Sequence, residues 1–135
     1  MPARESFDDF MKRRSRASVG FLNGDLGDML DMAALEDPST FFPVNGGAVS
    51  GAERVNDVHR QSGRKFSSGT AWVEMLQFGS DVEMGFWAGI VHADVVLRGE
   101  TESRSVKLRM TEVFRRNEQG WKLVHRHADR MVDQG

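Results

Sequence analysis

The chain has 135 residues, 39% hydrophobic and 28% charged, the composition of one ordinary folded domain rather than a disordered or membrane-spanning segment. Eighteen basic against twenty acidic side chains leave a net charge of −2, so no overall field draws it to nucleic acid or an anionic membrane, and neither is an expected partner. Cysteine is absent, which excludes disulfides, thiolate zinc sites and cysteine nucleophiles together, and no metal or other cofactor is expected.

Arg4, Asp8 and Asp9 stand where a signal peptide needs an uninterrupted apolar core, so a soluble cytoplasmic protein is expected. Phe7, Phe10, Met11, Ala17 and Phe21 recur at helical spacing and predict an amphipathic helix over about 5–21, ended by Asn23-Gly24. Its basic run, Lys12-Arg13-Arg14-Ser15-Arg16, reads as the solvated face. Asp25 can cap a shorter helix with one apolar stripe, Leu26, Met29, Leu30 and Ala33, closed by Pro38. Thr40-Phe41-Phe42 is a short extended piece, and Asn45-Gly46-Gly47 turns the chain. Ser50-Gly51-Ala52-Glu53 has the S-x-x-E form that satisfies free amides at a helix start, predicting a third helix over about 51–63. Its inward stripe would be Val55, Val58, His59 and Ser62, continuing towards Phe66.

From residue 70 the pattern alternates, with turn residues at Gly79-Ser80, around Gly99-Glu100 and from Asn117 to Gly120. Four antiparallel strands are predicted, about 70–78, 82–97, 103–116 and 121–132. Three helices ahead of such a meander bury their stripes most simply in the hollow of a curved sheet, so the expected class is α+β. No linker or repeat divides the chain, and 1–135 reads as a single domain.

Several polar groups fall on apolar faces. Alternation places Glu112 among Val106, Leu108, Met110 and Phe114, as a candidate buried carboxylate. Unpaired, it would have a raised pKa and could move protons near neutrality; held by an Arg or Lys, it would be structural. On the second long strand Phe86, Ala88, Ile90, His92 and Asp94 share a face, so His92 follows an apolar run. On the last strand Trp121, Leu123, His125, His127, Asp129 and Met131 share a face, and the two histidines could serve acid-base work or simply decorate a sheet surface. A simple loop at Asn117 to Gly120 pairs Glu112 with His125, whereas a bulge at the turn moves it towards Val124 or Arg126.

The run from Ser50 to His59, and the ending Thr111-Glu112-Val113-Phe114-Arg115-Arg116 through Gly120-Trp121-Lys122-Leu123-Val124-His125-Arg126-His127-Ala128-Asp129, resemble the SnoaL-like branch of the superfamily of nuclear transport factor 2 and ketosteroid isomerase. The resemblance covers about residues 5–132 and implies a cone, three helices in the hollow of a mainly antiparallel sheet around one small-molecule pocket. Ketosteroid isomerases carry their proton-moving aspartate in an Asp-Pro-Val-Gly stretch; the same spacing here reads Phe42-Pro43-Val44-Asn45, and the chain has no tyrosine, so that chemistry is not expected. The hairpin also resembles the association domain of calcium/calmodulin-dependent kinase, whose pocket binds small carboxylates through arginines and a histidine. Aligned without gaps, those arginines fall on His92, Glu112 and Ala128 and the histidine on His59, which implies a hydroxylated or cationic ligand in place of an acidic one.

Two functions are open. In one, His59, His92 and Glu112 are general acid and base on a small apolar molecule, in a dehydration, isomerisation, cyclisation or hydration, as the resemblance to folds such as scytalone dehydratase implies. Phe42, Phe66, Trp72, Phe86 and Met110 would form the apolar wall, with Arg126 or His125 and His127 facing the pocket according to register. In the other, the chain is a non-catalytic ligand-binding or oligomerisation module. A homodimer is expected either way, because superfamily members commonly pair their sheets and the second strand is apolar on both faces, with Phe86 and Ile90 opposite Trp87, Val91 and Val95.

Overall fold

A computed structural model describes residues 4–132. Helix α1 (Phe7–Leu22) begins where the Ser6 hydroxyl accepts from the Asp9 amide at 3.1 Å, with Asp8 and Asp9 in the first turn, where the helix dipole favours acids. Its buried stripe is Phe7, Phe10, Arg14, Ala17 and Phe21, in alternating steps of three and four residues. The basic run is therefore not wholly solvated. Lys12, Arg13 and Arg16 are exposed, but the helical period carries Arg14 inward between Phe10 and Ala17.

The short helix α2 (Gly27–Asp31) leads into residues 32–34, which are buried and laced to the last strand: Leu123 donates to the Met32 carbonyl at 2.8 Å and Ala34 to the Leu123 carbonyl at 3.0 Å. Strands β1 (Thr40–Phe42) and β2 (Val49–Ser50) pair antiparallel. Helix α3 (Ala52–Gly63) is not started by the expected Ser50 and Glu53 box. Gly51 turns the chain at a φ of +105° that glycine alone adopts freely, and Asp37 Oδ1 takes the Ala52 amide at 2.7 Å. The buried stripe of α3 is Ala52, Val55, Asn56, His59 and Gly63, so Asn56 faces inward while Val58 and Ser62 are only half-buried.

Strands β3 (Phe66–Ser80), β4 (Met84–Leu97), β5 (Arg104–Asn117) and β6 (Gly120–Arg130) form the meander, β3 starting four residues before its predicted position. The sheet order is β2-β1-β6-β5-β4-β3, with β1 parallel to β6 and every other pairing antiparallel. This is the expected α+β cone, a curved, unclosed sheet with helices in its hollow.

Residues directly opposite in such a ladder share a face. The inner rows are Val73–Val91–Leu108, Gly89–Met110–Ala128, Trp87–Glu112–Arg126 and Gly85–Phe114–Leu123. Gly85 is needed there because the Phe7 ring occupies the space where a Cβ would stand. Phe10 and Phe114, both fully buried, meet edge to face with centroids 5.0 Å apart at the centre of the core.

Two face assignments are corrected. On β4 the inward residues are Trp87, Val91 and Val95, so Phe86, Ile90 and His92 point out; the indole lies inside, where its N–H finds the Glu112 carboxylate. On β6 the turn is a simple one, Asn117 opposite Gly120, but Val124 is an extra residue between the pairs Phe114–Leu123 and Val113–His125. Before this bulge Trp121 and Leu123 face the core; after it Arg126 and Ala128 do, and His125, His127 and Asp129 are turned to the outer face.

Candidate functional site

The polar groups of the cone centre on Glu112, which β5 places between Trp87 on β4 and Arg126 on β6. Arg14 reaches it from α1 as a fork, Nε donating to Oε1 at 2.9 Å and Nη2 to Oε2 at 2.7 Å, and Trp87 Nε1 donates to Oε1 at 2.9 Å. Arg126 Nη1 stands further off, 3.7 Å from Oε2. Burial alone would raise the Glu112 pKa, but the charge and hydrogen bonds of Arg14, with Arg126 and Trp87 behind them, outweigh it and hold the group down to about 2. Of the two readings open for Glu112, the arginine-held carboxylate is the one present: it is ionised and held by three short hydrogen bonds, not poised to exchange a proton near neutrality.

His59 approaches the same side from α3, its ring against Phe41 at a centroid distance of 4.6 Å, while Arg126 lies over the same Phe41 ring at 5.7 Å. Burial, then the charges of Arg126 and Arg14, push the His59 pKa down to about 3, so the imidazole is neutral. Asn56, one turn earlier, donates to the Ala34 carbonyl at 3.1 Å. Three buried polar atoms here have no protein partner: Asn56 Oδ1, His59 Nε2 and Arg126 Nε. Two guanidinium groups face one carboxylate, which leaves the centre with one net positive charge. The basic groups that the gap-free alignment left unfilled at His92, Glu112 and Ala128 have counterparts here in Arg14 and Arg126.

His59, Glu112, Met110 and Arg126 therefore share the interior, whereas His92 does not join them. Its ring stacks flat on Trp72, 4.0 Å between centroids and 2° between planes, and Nε2 lies 3.1 Å from Glu74 Oε1, all on the outer face. Trp72, 60% exposed, and Phe86 stand on that outer face too, because β4 and its neighbour are turned the other way. His125 and His127 are outside as well, put there by the Val124 bulge, and Phe42 of β1 lies beside them: its ring meets both imidazoles edge-on, and His125 Nδ1 bonds the Thr40 hydroxyl at 2.7 Å. Phe66 packs on Phe21 at the far end of α1. Four surface grooves of 330 to 540 Å³ lie on the outer face or the rim, and none of them is lined by His59, Glu112 or Arg126.

Arg14, Trp87 and Asn56 escape a reading by residue type. Each stands on a buried period, Arg14 in the α1 stripe, Trp87 opposite Glu112 and Asn56 between Val55 and His59, so period was the signal that could have found them. Among the described residues no cluster of three metal-ligating side chains occurs, and no helix is long and apolar enough to cross a membrane.

Residues 19–133 match the sequence profile of the SnoaL-like domain. A search of curated proteins gave no match. Solved structures share the fold at low identity. A protein of Thiobacillus denitrificans, provisionally described as a calcium/calmodulin-dependent protein kinase type II association domain, is 19% identical over 98% of this chain and 100% of its own, with a TM-score of 0.72. A protein of Streptomyces avermitilis, provisionally described as a dehydratase of the NTF2-like family, is 14% identical over 95% and 100%, with a TM-score of 0.75. An NTF2-like superfamily protein of Salmonella enterica is 16% identical over 93% and 88%, with a TM-score of 0.72.

Proposed function

The chain belongs to the SnoaL-like domain family, and on that footing we propose that it is a small-molecule-binding protein that takes an organic carboxylate against Arg126, His59 and Asn56 inside the cone. The observation that carries this reading is the trio of unpartnered buried polar atoms, Arg126 Nε, His59 Nε2 and Asn56 Oδ1, beside a centre of one net positive charge. A buried donor or acceptor without a partner costs about 1–3 kcal/mol, so a ligand that satisfies several at once recovers that free energy on binding. The sign of the charge favours an acidic ligand over the cationic one that the gap-free alignment implied. A hydroxyl on the ligand would suit Asn56 Oδ1, which can only accept.

An acid-base reaction of the dehydratase kind would have to rest on His59 alone. Glu112 is held ionised by Arg14 and Trp87, and His92 lies on the other side of the sheet. This favours binding without chemistry. The test is calorimetric titration with benzoate, benzamide and benzamidine, three probes of one shape and different charge. Benzoate should bind at least about tenfold more tightly than benzamide, and Arg126→Gln should erase that preference. The fold should survive that substitution, because Arg14 still pairs Glu112. Equal affinity for benzamidine, or no binding of any probe, would overturn the reading.

We propose further that the partner is a second copy of the chain, packed through the outer face of the sheet. Trp72, Met84 and Phe86 are exposed there beside half-buried Ile90 and Val113. The charges nearest these aromatics differ by strand: Glu74 and Asp94 on β3 and β4, Lys107 and Arg115 on β5, while Arg109 of β5 is paired with Asp129 of β6 at 2.6 and 2.7 Å. A two-fold axis parallel to β4 lays β3 of one copy over β5 of the other, so the acidic and basic rows meet twice.

A further inference from the structure

The carboxylate of Glu112 has two guanidinium groups within reach and makes its short bonds to only one. Arg14 takes both oxygens as a fork at 2.9 and 2.7 Å, while Arg126 remains at 3.7 Å, beyond hydrogen-bond distance, with Nε unpartnered and buried. Both arginines come from elements whose geometry fixes the contest. Arg14 stands on the rigid stripe of α1, braced by the Phe114 ring at 5.0 Å and by Met32 Sδ at 3.8 Å from its Nη1. Trp87 Nε1 also donates to Oε1, so Oε1 carries two short bonds, while Oε2, the oxygen that Arg126 Nη1 faces at 3.7 Å, carries one, from Arg14 Nη2. Arg126 lies directly opposite Glu112 in the ladder and, in the absence of Arg14, would be its nearest cation.

We infer that Arg14 is a specificity-determining positioning residue: as the counter-ion of Glu112, it keeps the charge of Arg126 free for the ligand. This inference rests on the carboxylate-binding reading above. It does not require Arg14 to touch the ligand, since its whole effect passes through Glu112. A purely structural Arg14 would affect stability alone, whereas this one decides which group Arg126 pairs with.

The experiment compares wild type, Arg14→Met, and the double variant Arg14→Met/Glu112→Gln, by benzoate titration and by the Nε–H resonance of Arg126 in ¹⁵N-labelled protein. In Arg14→Met, Arg126 should swing onto Glu112; its Nε resonance should shift and benzoate affinity fall by about tenfold or more. The double variant has no competing carboxylate, so benzoate binding and the resonance should return towards wild type. A folded Arg14→Met that keeps wild-type benzoate affinity and an unmoved resonance overturns the inference, as does a folded double variant that fails to bind. Should the single variant not fold, the double variant decides the matter by the same criterion. Failure of wild type itself to bind benzoate would instead bring down the carboxylate-binding reading.

Discussion

At His59, burial and two neighbouring guanidinium groups keep the imidazole neutral down to about pH 3, whereas the same side chain in the unfolded chain takes a proton near 6.5. Between these values the unfolded state binds the extra proton, so stability rises with pH across the window and is lost as pH falls. Glu112 acts with the same sign at lower pH: its folded pKa of about 2 lies below the unfolded value, and its contribution disappears as pH falls through the range from 4.5 to 2. Urea denaturation at pH 7.5 and pH 5.0 should therefore differ by about 2 kcal/mol through His59, and His59→Asn should flatten that difference. An unchanged slope in the variant would mean that the imidazole is solvated. The inward aim of His59 and Glu112 was legible in the sequence, because a period of helix or strand fixes direction without regard to residue type. Arg14 was not, because the surrounding run of cations invites a reading by charge, and charge says nothing of which member of the run the helix turns inward.

At the scale of elements, the sequence carried the order of helices and strands and the α+β class, and lost the details that depend on pairing. The bulge at Val124 has no mark in composition: Leu123, Val124 and His125 alternate as well as any regular strand. Its effect reverses every side chain after it, which exchanged Arg126 for His125 and His127 in the interior. The face of β4 was ambiguous for a different reason, since both faces are apolar and only the cross-strand partner, Glu112 for Trp87, decides between them. The start of α3 was misread because its cap comes from a distant segment: Asp37 Oδ1, fifteen residues from Ala52, takes the free amide that Ser50 was expected to hold. Replacing Asp37 by Ala should thus cost about 0.5–2 kcal/mol, against nearly nothing for Ser50→Ala. Thermal melts of the two variants side by side would expose a wrong cap assignment if their order were reversed.

For the whole molecule, the outer face carries the proposal of a two-fold pair, and its consequence is measurable in solution. Trp72→Glu puts a third acidic side chain beside Glu74 and Asp94, and removes the exposed indole without touching the core. Sedimentation should find wild type as a dimer at micromolar concentration and the variant as a monomer with a nearly unchanged melting midpoint. A monomeric wild type would remove the pairing, and a dimeric variant would move it to another face. This face was visible in the sequence only as a strand apolar on both sides; that its exposed aromatics lie with divided charge required the register.

The position of β6 in the sheet also bears on the order of events during synthesis. The strand made last among the six sits between β1 and β5, so β1 and β2 join the rest of the sheet only through it. Residues 32–34 are laced to the same strand at Leu123, and Arg126 comes with it. Until β6 has left the ribosome, β5 presents an open edge and the early strands have nothing to pair with but each other. Closure of the sheet therefore waits on one late strand, and the interval before it is when a nascent chain is most exposed to wrong edge pairing.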